Sequence, residues 1–396
     1  MKRFPIRTVA CLLGLAWFAL PIQTPAQEPA PSAKPASILP VFRAELNRPA
    51  PAFNLNDTDG KTWKLADLKG QTVVLEWYNP DCPVVREAHT SGGALESLGN
   101  RMAKLENVTW LAINSGAAGQ QGNGLERNIK SKSQYGIEYP ILLDESGAVG
   151  RAYGATTTPH MYIIDPQGIL VYMGGHHDRK AGDLIGTAMA QVLKGEKPTP
   201  ARTPNRGCSV KYPNVATLGA VTPDFELKDL EGKPYRLEDF AGKVVVLEWF
   251  NPQCPVVAAA HEGGALTSAA SELTRSGQVV WLAINSASKE DMSAAKGVNL
   301  EMVKKWNLQH PLLMDPTGRT GKAYGARVTP QMFVLDTHGV LVYQGNPGDA
   351  ETPFVKSTVV RLLNGEKVAP AQTEAQGCSV KYAKKDREQS EPESAE

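Results

Sequence analysis

The chain has 396 residues, enough for two or three domains of ordinary size, and an apolar share of 42% that lets each build a core. Lys and Arg total 42 against 41 Asp and Glu, a net charge of +1. So even a balance gives no electrostatic ground for nucleic acid or an anionic membrane surface as a partner.

In chain order, Lys2, Arg3 and Arg7 precede an apolar run, TVACLLGLAWFALPI, and then the small-residue exit QTPAQEPAPSAKPAS. This pattern predicts a secretory signal over residues 1–26, cleaved after Ala26. The apolar run is about 15 residues, short of the ~20 that span a bilayer. No later stretch is long and apolar enough to cross, so no membrane span is expected after cleavage, and the protein is expected in the periplasm or secreted. Of the five cysteines, Cys11 leaves with the signal, and Cys82, Cys208, Cys254 and Cys378 remain. Four cysteines in an exported chain permit disulfides in three pairings, among which sequence does not choose. Residues 27–45 read as a Pro/Ala-rich linker.

From there FNLNDTDGKTWKLADL predicts a small hairpin and VVLEWY a buried strand. NPDCP is turn chemistry, with Pro83 suited to a first helical turn. A helical pattern from Val84 is interrupted at Gly92–Gly93. VTWLAIN is a second strand, GLERNIKSKSQYG a helix ending at Gly136, YPILLD extended, AVGRAYGA a short helix, and MYIIDPQGILVYMGG a hairpin. GDLIGTAMAQVLKGEKP closes the unit as an amphipathic helix. Strands split by helices call for a partly parallel sheet, and the hairpin adds antiparallel strands.

The whole unit then recurs. Residues 70–89, GQTVVLEWYNPDCPVVREAH, match 242–261, GKVVVLEWFNPQCPVVAAAH, at 14 of 20 positions, 172 residues apart. WLAINS occurs twice, AYGATTTPHMYIID is echoed by AYGARVTPQMFVLD, and GCSVKY ends both units. So long a period means a duplicated domain rather than a solenoid. Domains are expected at 46–212 and 213–383, with 384–396 a charged, disordered tail. The fold class is α/β, two tandem domains, each a mixed central sheet flanked by helices.

Cys82 and Cys254 fall between the end of a central strand and the start of a helix. The thiolate is the nucleophile, and amides at a helix start favour the anion, so both are candidate nucleophiles. His89 and His261, seven residues on, share the helix face of their cysteines and raise a metal alternative, against which a packed histidine is preferred; no metal site is assigned. His176–His177 has no counterpart in the second copy and reads as a solvated loop.

The unit resembles the thioredoxin fold, in the peroxiredoxin-like branch of the alkyl hydroperoxide reductase/thiol-specific antioxidant superfamily, carried by VVLEWYNPDCPVV, TTTPHMYIID and DPQGILVY and their second copies. The resemblance covers residues 46–212 and 218–383. It implies proton transfer by Glu76 and Glu248, burial raising their pKa toward neutrality. It also implies cis-prolines at Pro159 and Pro330, which with Thr158 and Thr329 would bind substrate chains. The pattern departs where a Cys-x-x-Cys would put a second cysteine, since Val85 and Val257 stand there. Asn79 takes the place of the peroxiredoxin threonine, and Arg86 becomes Ala258 in the second copy. Cys208 and Cys378, each after a glycine that suggests an exposed, flexible position, then become candidate resolving or structural thiols for Cys82 and Cys254. The implied function is an exported thiol-dependent oxidoreductase that reduces peroxides or exchanges disulfides. Its partners would be a disulfide-bearing protein or a peroxide and an unknown thiol electron donor, with no cofactor. The alternatives are a non-catalytic binding or assembly module and a copper-handling protein.

Overall fold

The computed structural model describes residues 44–90 and 92–383, so the predicted signal, most of the linker and the charged tail lie outside the described residues. The first domain runs β1 (Asn54–Asp57), β2 (Thr62–Lys64), β3 (Thr72–Trp77), α1 (Pro83–His89), α2 (Leu98–Ala103), β4 (Val108–Asn114), α3 (Leu125–Gln134), β5 (Ile141–Leu143), α4 (Ala148–Tyr153), β6 (Thr157–Thr158), β7 (His160–Ile164), β8 (Leu170–Gly174), β9 (His177–Asp178), β10 (Gly182–Asp183), α5 (Leu184–Leu193) and β11 (Cys208–Ser209). The second repeats it as β12 (Glu226–Asp229), β13 (Pro234–Arg236), β14 (Val244–Trp249), α6 (Pro255–Glu262), α7 (Ala265–Thr274), β15 (Val279–Asn285), α8 (Lys296–Lys305), β16 (Leu312–Met314), α9 (Arg319–Tyr324), β17 (Val328–Thr329), β18 (Gln331–Leu335), β19 (Leu341–Gly345), α10 (Phe354–Leu363) and β20 (Cys378–Ser379).

Each domain holds a seven-stranded sheet, in the order β2-β1-β5-β4-β3-β7-β8 and β13-β12-β16-β15-β14-β18-β19. β3, β4 and β5 are parallel, and β7 returns antiparallel beside β3. A central strand covered on both faces is mostly apolar, and all six residues of β3 are buried, as are those of β14. Alternation then sorts them. Val73, Leu75 and Trp77 meet Tyr153 and Tyr162 on one face, while Val74 packs with Trp110, Ile163 and the helix residues Val85, Ile185 and Met189 on the other. Full burial of each large apolar side chain is worth roughly 1.5–3 kcal/mol. Glu76 shares the Val74 face, so one carboxylate lies inside that core at 0% exposure.

Val221 N–H donates to Ser146 O at 2.8 Å, and Arg151 pairs with Asp224 and lies 4.5 Å over the Tyr212 ring. Beside these contacts an apolar cavity of about 310 Å³ opens between the halves, with Tyr212, Val221, Leu237 and Phe240 in its wall. Among the described residues no helix is long and apolar enough to cross a membrane.

His176 departs from the solvated-loop expectation. It is half-buried, its carbonyl accepts from the Leu184 and Ile185 amides at the start of α5, and β9 and β10 form a ribbon after it. Burial holds its pKa below the usual imidazole value.

Candidate active site at two helix-capping cysteines

Asn79 builds the turn that carries the first cysteine. Its Oδ1 accepts from the Asp81 amide at 2.9 Å, an Asx turn, and its Nδ2 donates to Gln121 O at 3.1 Å. Asn251 makes the same turn, accepting from Gln253 N at 2.8 Å. The chain leaves each turn at a cysteine in the N-cap position, followed by proline at the first helical position. Asn79 is thus a turn-former where a peroxiredoxin carries its threonine.

Cys82 is 0% exposed and Cys254 1%. Neither sulfur is simply embedded in hydrocarbon. The Cys82 Sγ–H donates to the Thr158 carbonyl at 3.1 Å, and the Cys254 Sγ–H to the Thr329 carbonyl at 3.1 Å. The bonds from Thr158 to Pro159 and from Thr329 to Pro330 are both cis. All four predicted substrate-edge residues therefore lie beside the cysteines.

Gapped by 126 residues, Cys208 comes back to the same spot. β11 pairs antiparallel with β6, Cys208 opposite Thr158 and Ser209 opposite Thr157. β20 pairs with β17 in the same register, Cys378 opposite Thr329. Each late cysteine thus lies beside the early one, near enough that the two thiols shift each other's pKa. The four described cysteines are free thiols here. Burial works to raise the Cys82 pKa, but the Cys208 thiol, the Val85 amide in the first turn of α1 and Thr158 outweigh it and hold it below the usual value. Cys254 is held low in the same way by Cys378, the Val257 amide and Thr329. The partners move the other way. Bonding to the early thiol, with burial adding, raises both Cys208 and Cys378.

The motif GCSVKY can now be read residue by residue. Gly207 has no side chain because a Cβ there would lie 2.7 Å from the Thr158 carbonyl carbon, and Gly377 meets Thr329 at the same 2.7 Å. Val210 and Val380 are buried. The Tyr212 hydroxyl donates to Ala155 O at 3.0 Å and the Tyr382 hydroxyl to Ala326 O at 2.8 Å. The Lys211 carbonyl accepts from Ala117 N and the Lys381 carbonyl from Ser288 N, both at 2.8 Å. The expectation of exposed, flexible late cysteines is therefore corrected: the glycine serves close approach, and Cys208 and Cys378 sit partly buried in anchored strands.

Glu76 and Glu248 also depart from expectation. Glu76 accepts from His89 Nε2 at 2.7 Å, the Tyr139 hydroxyl at 3.0 Å and Trp110 Nε1 at 3.3 Å. Burial alone would raise its pKa, but these donors and the imidazole charge prevail and hold it below the usual carboxylate range. Glu248 accepts from His261 Nε2 at 2.7 Å and Trp281 Nε1 at 3.0 Å and is likewise held low. Neither becomes the near-neutral acid that burial by itself predicts. His89 and His261 are thereby turned toward the carboxylates as partners in the core. Among the described residues no group of three His, Cys, Asp or Glu could hold a metal.

Arg127 was invisible from sequence. Its Nε donates to Asp81 Oδ1 at 2.8 Å and its Nη2 to the Pro80 carbonyl at 3.2 Å, fastening the Cys82 turn from α3. Nothing in its local pattern marks it among the surface cations of that helix. In domain 1 a cavity of about 700 Å³ opens along α1, walled by Val84, Ala88, His176, His177 and Arg206, of which Arg206 stands two residues before Cys208.

Comparison with known proteins finds a family-model match in each half. The AhpC/TSA family model matches residues 46–173 and the Redoxin family model residues 217–363. The thiol-disulfide oxidoreductase ResA of Bacillus subtilis (strain 168) is 31% identical over 123 residues, which are 31% of this chain and 63% of that relative. The chain thus spans under two thirds of its length. A Mycobacterium tuberculosis (strain CDC 1551 / Oshkosh) protein with a provisional peroxiredoxin name is 27% identical over 121 residues, 31% of this chain and 71% of that one. The crystal structure of a hypothetical protein from Sinorhizobium meliloti 1021 aligns at 28% identity and a TM-score of 0.39, covering 42% of this chain and 96% of that one.

Proposed function

We propose that this chain, whose two halves match the AhpC/TSA and Redoxin family models, is an exported thiol oxidoreductase whose two domains each cycle between a dithiol and a disulfide, Cys82 with Cys208 and Cys254 with Cys378. One observation carries the reading: in each domain a strand delivers a second thiol to the helix-capping cysteine, in the absence of a Cys-x-x-Cys. The pair supplies what the missing motif would supply. In a turnover the two thiols give up two electrons and two protons. A disulfide substrate R–S–S–R leaves as two thiols, or a hydroperoxide as an alcohol and water, and the pair becomes a disulfide. An external thiol donor then restores it. Export is supported by the basic start and short apolar run of the first 26 residues. The Thr158–Pro159 and Thr329–Pro330 edges serve as the seats of the second thiols. Glu76 and Glu248, ionised and supplied with donors, hold the cysteine-bearing helices through His89 and His261 in place of moving a proton.

Intact-mass measurement of the full chain after mild peroxide tests this. The wild type is expected to lose two hydrogens per domain, and peptide mapping to recover Cys82–Cys208 and Cys254–Cys378. If the wild type loses no hydrogens, or mapping recovers other cysteine pairs, the reading fails.

A further inference from the structure

Resting on the dithiol reading above, we infer that Cys208 and Cys378 are the sulfurs that exchange with the outside, that Cys82 and Cys254 are internal partners, and that the substrate is a low-molecular-weight disulfide or its thiol.

Two features of geometry carry this. The early sulfurs are covered, at 0% and 1% exposure, whereas the late ones are only partly buried. The backbone edge beside the early sulfur is also occupied. Thr158 and Thr157 are paired with Cys208 and Ser209, and the Val210 amide bonds to the Thr156 carbonyl at 3.1 Å. Domain 2 does the same, with Val380 N bonded to Arg327 O at 2.8 Å. A polypeptide substrate seeking to add a strand there finds its place filled by the protein's own chain. A small disulfide needs no such pairing and meets the late cysteine from solvent.

The exchange balances without another reactant. The Cys208 thiolate attacks one sulfur of R–S–S–R, and one RS⁻ departs with the electron pair. Cys82, as thiolate, then attacks the Cys208 sulfur, the mixed disulfide breaks, and the second RS⁻ leaves. In the reverse direction an external thiolate attacks Cys208 and expels Cys82, which leaves with the electron pair beside the Val85 amide.

Thiolate fraction favours the early sulfur and access favours the late one. A sulfur at 0% exposure is reached only after local opening, so its ionisation gives no advantage until the cover moves. Access therefore prevails.

The test uses the full chain with Cys254→Ser and Cys378→Ser, so that only domain 1 reports, and oxidised glutathione as probe at pH 7. With Cys82→Ser added, Cys208 is expected to take up one glutathione at least ten-fold faster than Cys82 does when Cys208→Ser is added instead. Adding Gly207→Val to the Cys208→Ser protein puts a Cβ into the Thr158 carbonyl and unseats β11. Labelling of Cys82 is then expected to rise at least ten-fold, while Tyr212 keeps the segment tethered. Gly207→Ala, which carries the same colliding atom with less bulk, replaces it should circular dichroism show the valine variant unfolded. Equal or faster labelling of Cys82 in the Cys208→Ser protein overturns the inference, as does indifference of Cys82 to the glycine change. The dithiol reading fails separately, if the protein retaining Cys82 and Cys208 forms no disulfide between them.

Discussion

Behind the Cys82 turn the first domain is polar, and behind the Cys254 turn the second is apolar. Tyr78, Asp81, Arg127 and Tyr135 in one domain stand where the other has Phe250, Gln253, Val298 and Trp306. The Tyr135 hydroxyl donates to Pro80 O at 3.0 Å, and Arg127 pairs with Asp81 at 2.5 Å. In their place Phe250 packs edge-on to Trp306 at 5.8 Å, and Trp306 stacks on His261 at 5.2 Å. Yet the Asx turn, the covered sulfur, the threonine edge, the glycine and the anchoring tyrosine are the same in both. The position of the sulfur pair is thus set from the front, by the returning strand and the turn. The backing tolerates either chemistry so long as it fills the space.

The comparison can be broken hardest at the buried carboxylates. Glu76→Ala leaves three donors without an acceptor and Glu248→Ala leaves two, since His310 Nε2 stays 4.0 Å from Glu248 and has no hydrogen-bond partner. Removing one partner of a buried pair costs about 3–5 kcal/mol. Urea unfolding followed by hydrogen exchange on peptides of each domain should show the larger loss for Glu76. Because Glu76 has a lowered pKa in the folded state, its stabilisation is present above the unfolded value near 4.5 and is lost as pH falls below it.

A second pair of differences sharpens the comparison. Tyr139 lies against Gly99, where an added methyl would overlap its ring, and domain 2 carries His310 and Ala270 at the two matching positions. The larger ring accompanies the smaller helix residue. Gly99→Ala should cost about 1–3 kcal/mol by overpacking, and Tyr139→His added to it should recover most of that. In the other direction, Ala270→Gly with His310→Tyr gives Glu248 a hydroxyl donor and removes a buried imidazole. Burial presses the His310 pKa down to about 4. The unfolded chain takes up that proton near pH 6.5, so the stability associated with neutral His310 declines as pH falls from about 6.5 to about 4. Urea midpoints at pH 7 and pH 5 should therefore differ less in the double variant than in the wild type.

The smallest effect belongs to the ion pair at the turn. Asp81→Gln with Arg127→Val copies domain 2, and with side chains 29% and 32% exposed the pair is worth at most about 1 kcal/mol. A urea-midpoint loss of several kcal/mol would show that the first turn, unlike the second, depends on its backing.

Much of this was legible in the sequence because the signals were local. The strand–turn–Cys–Pro order placed β3 and α1, and two copies of one pattern gave two domains. Apolar runs around Asp165–Pro166 gave the β7–β8 hairpin. What escaped was fixed by partners far along the chain. The glycine of GCSVKY signals mobility in isolation, and only the Thr158 carbonyl shows that it permits contact. Glu76 as a lone buried acid predicts a raised pKa, and three donors from α1, β4 and the segment before β5 reverse the sign. The pairing of Gly99 with Tyr139 joins positions 40 residues apart with no shared pattern.

Tyr212 closes the first strand segment and, at the same time, lies beneath Arg151 where the halves meet. Anyone who divides the molecule to study one half must therefore cut after residue 212. A cut at 173, where the AhpC/TSA match stops, would remove α5 and carry off the second thiol, leaving Cys82 without its partner and a bare strand edge. Its chemistry would report on the cut and not on the intact protein.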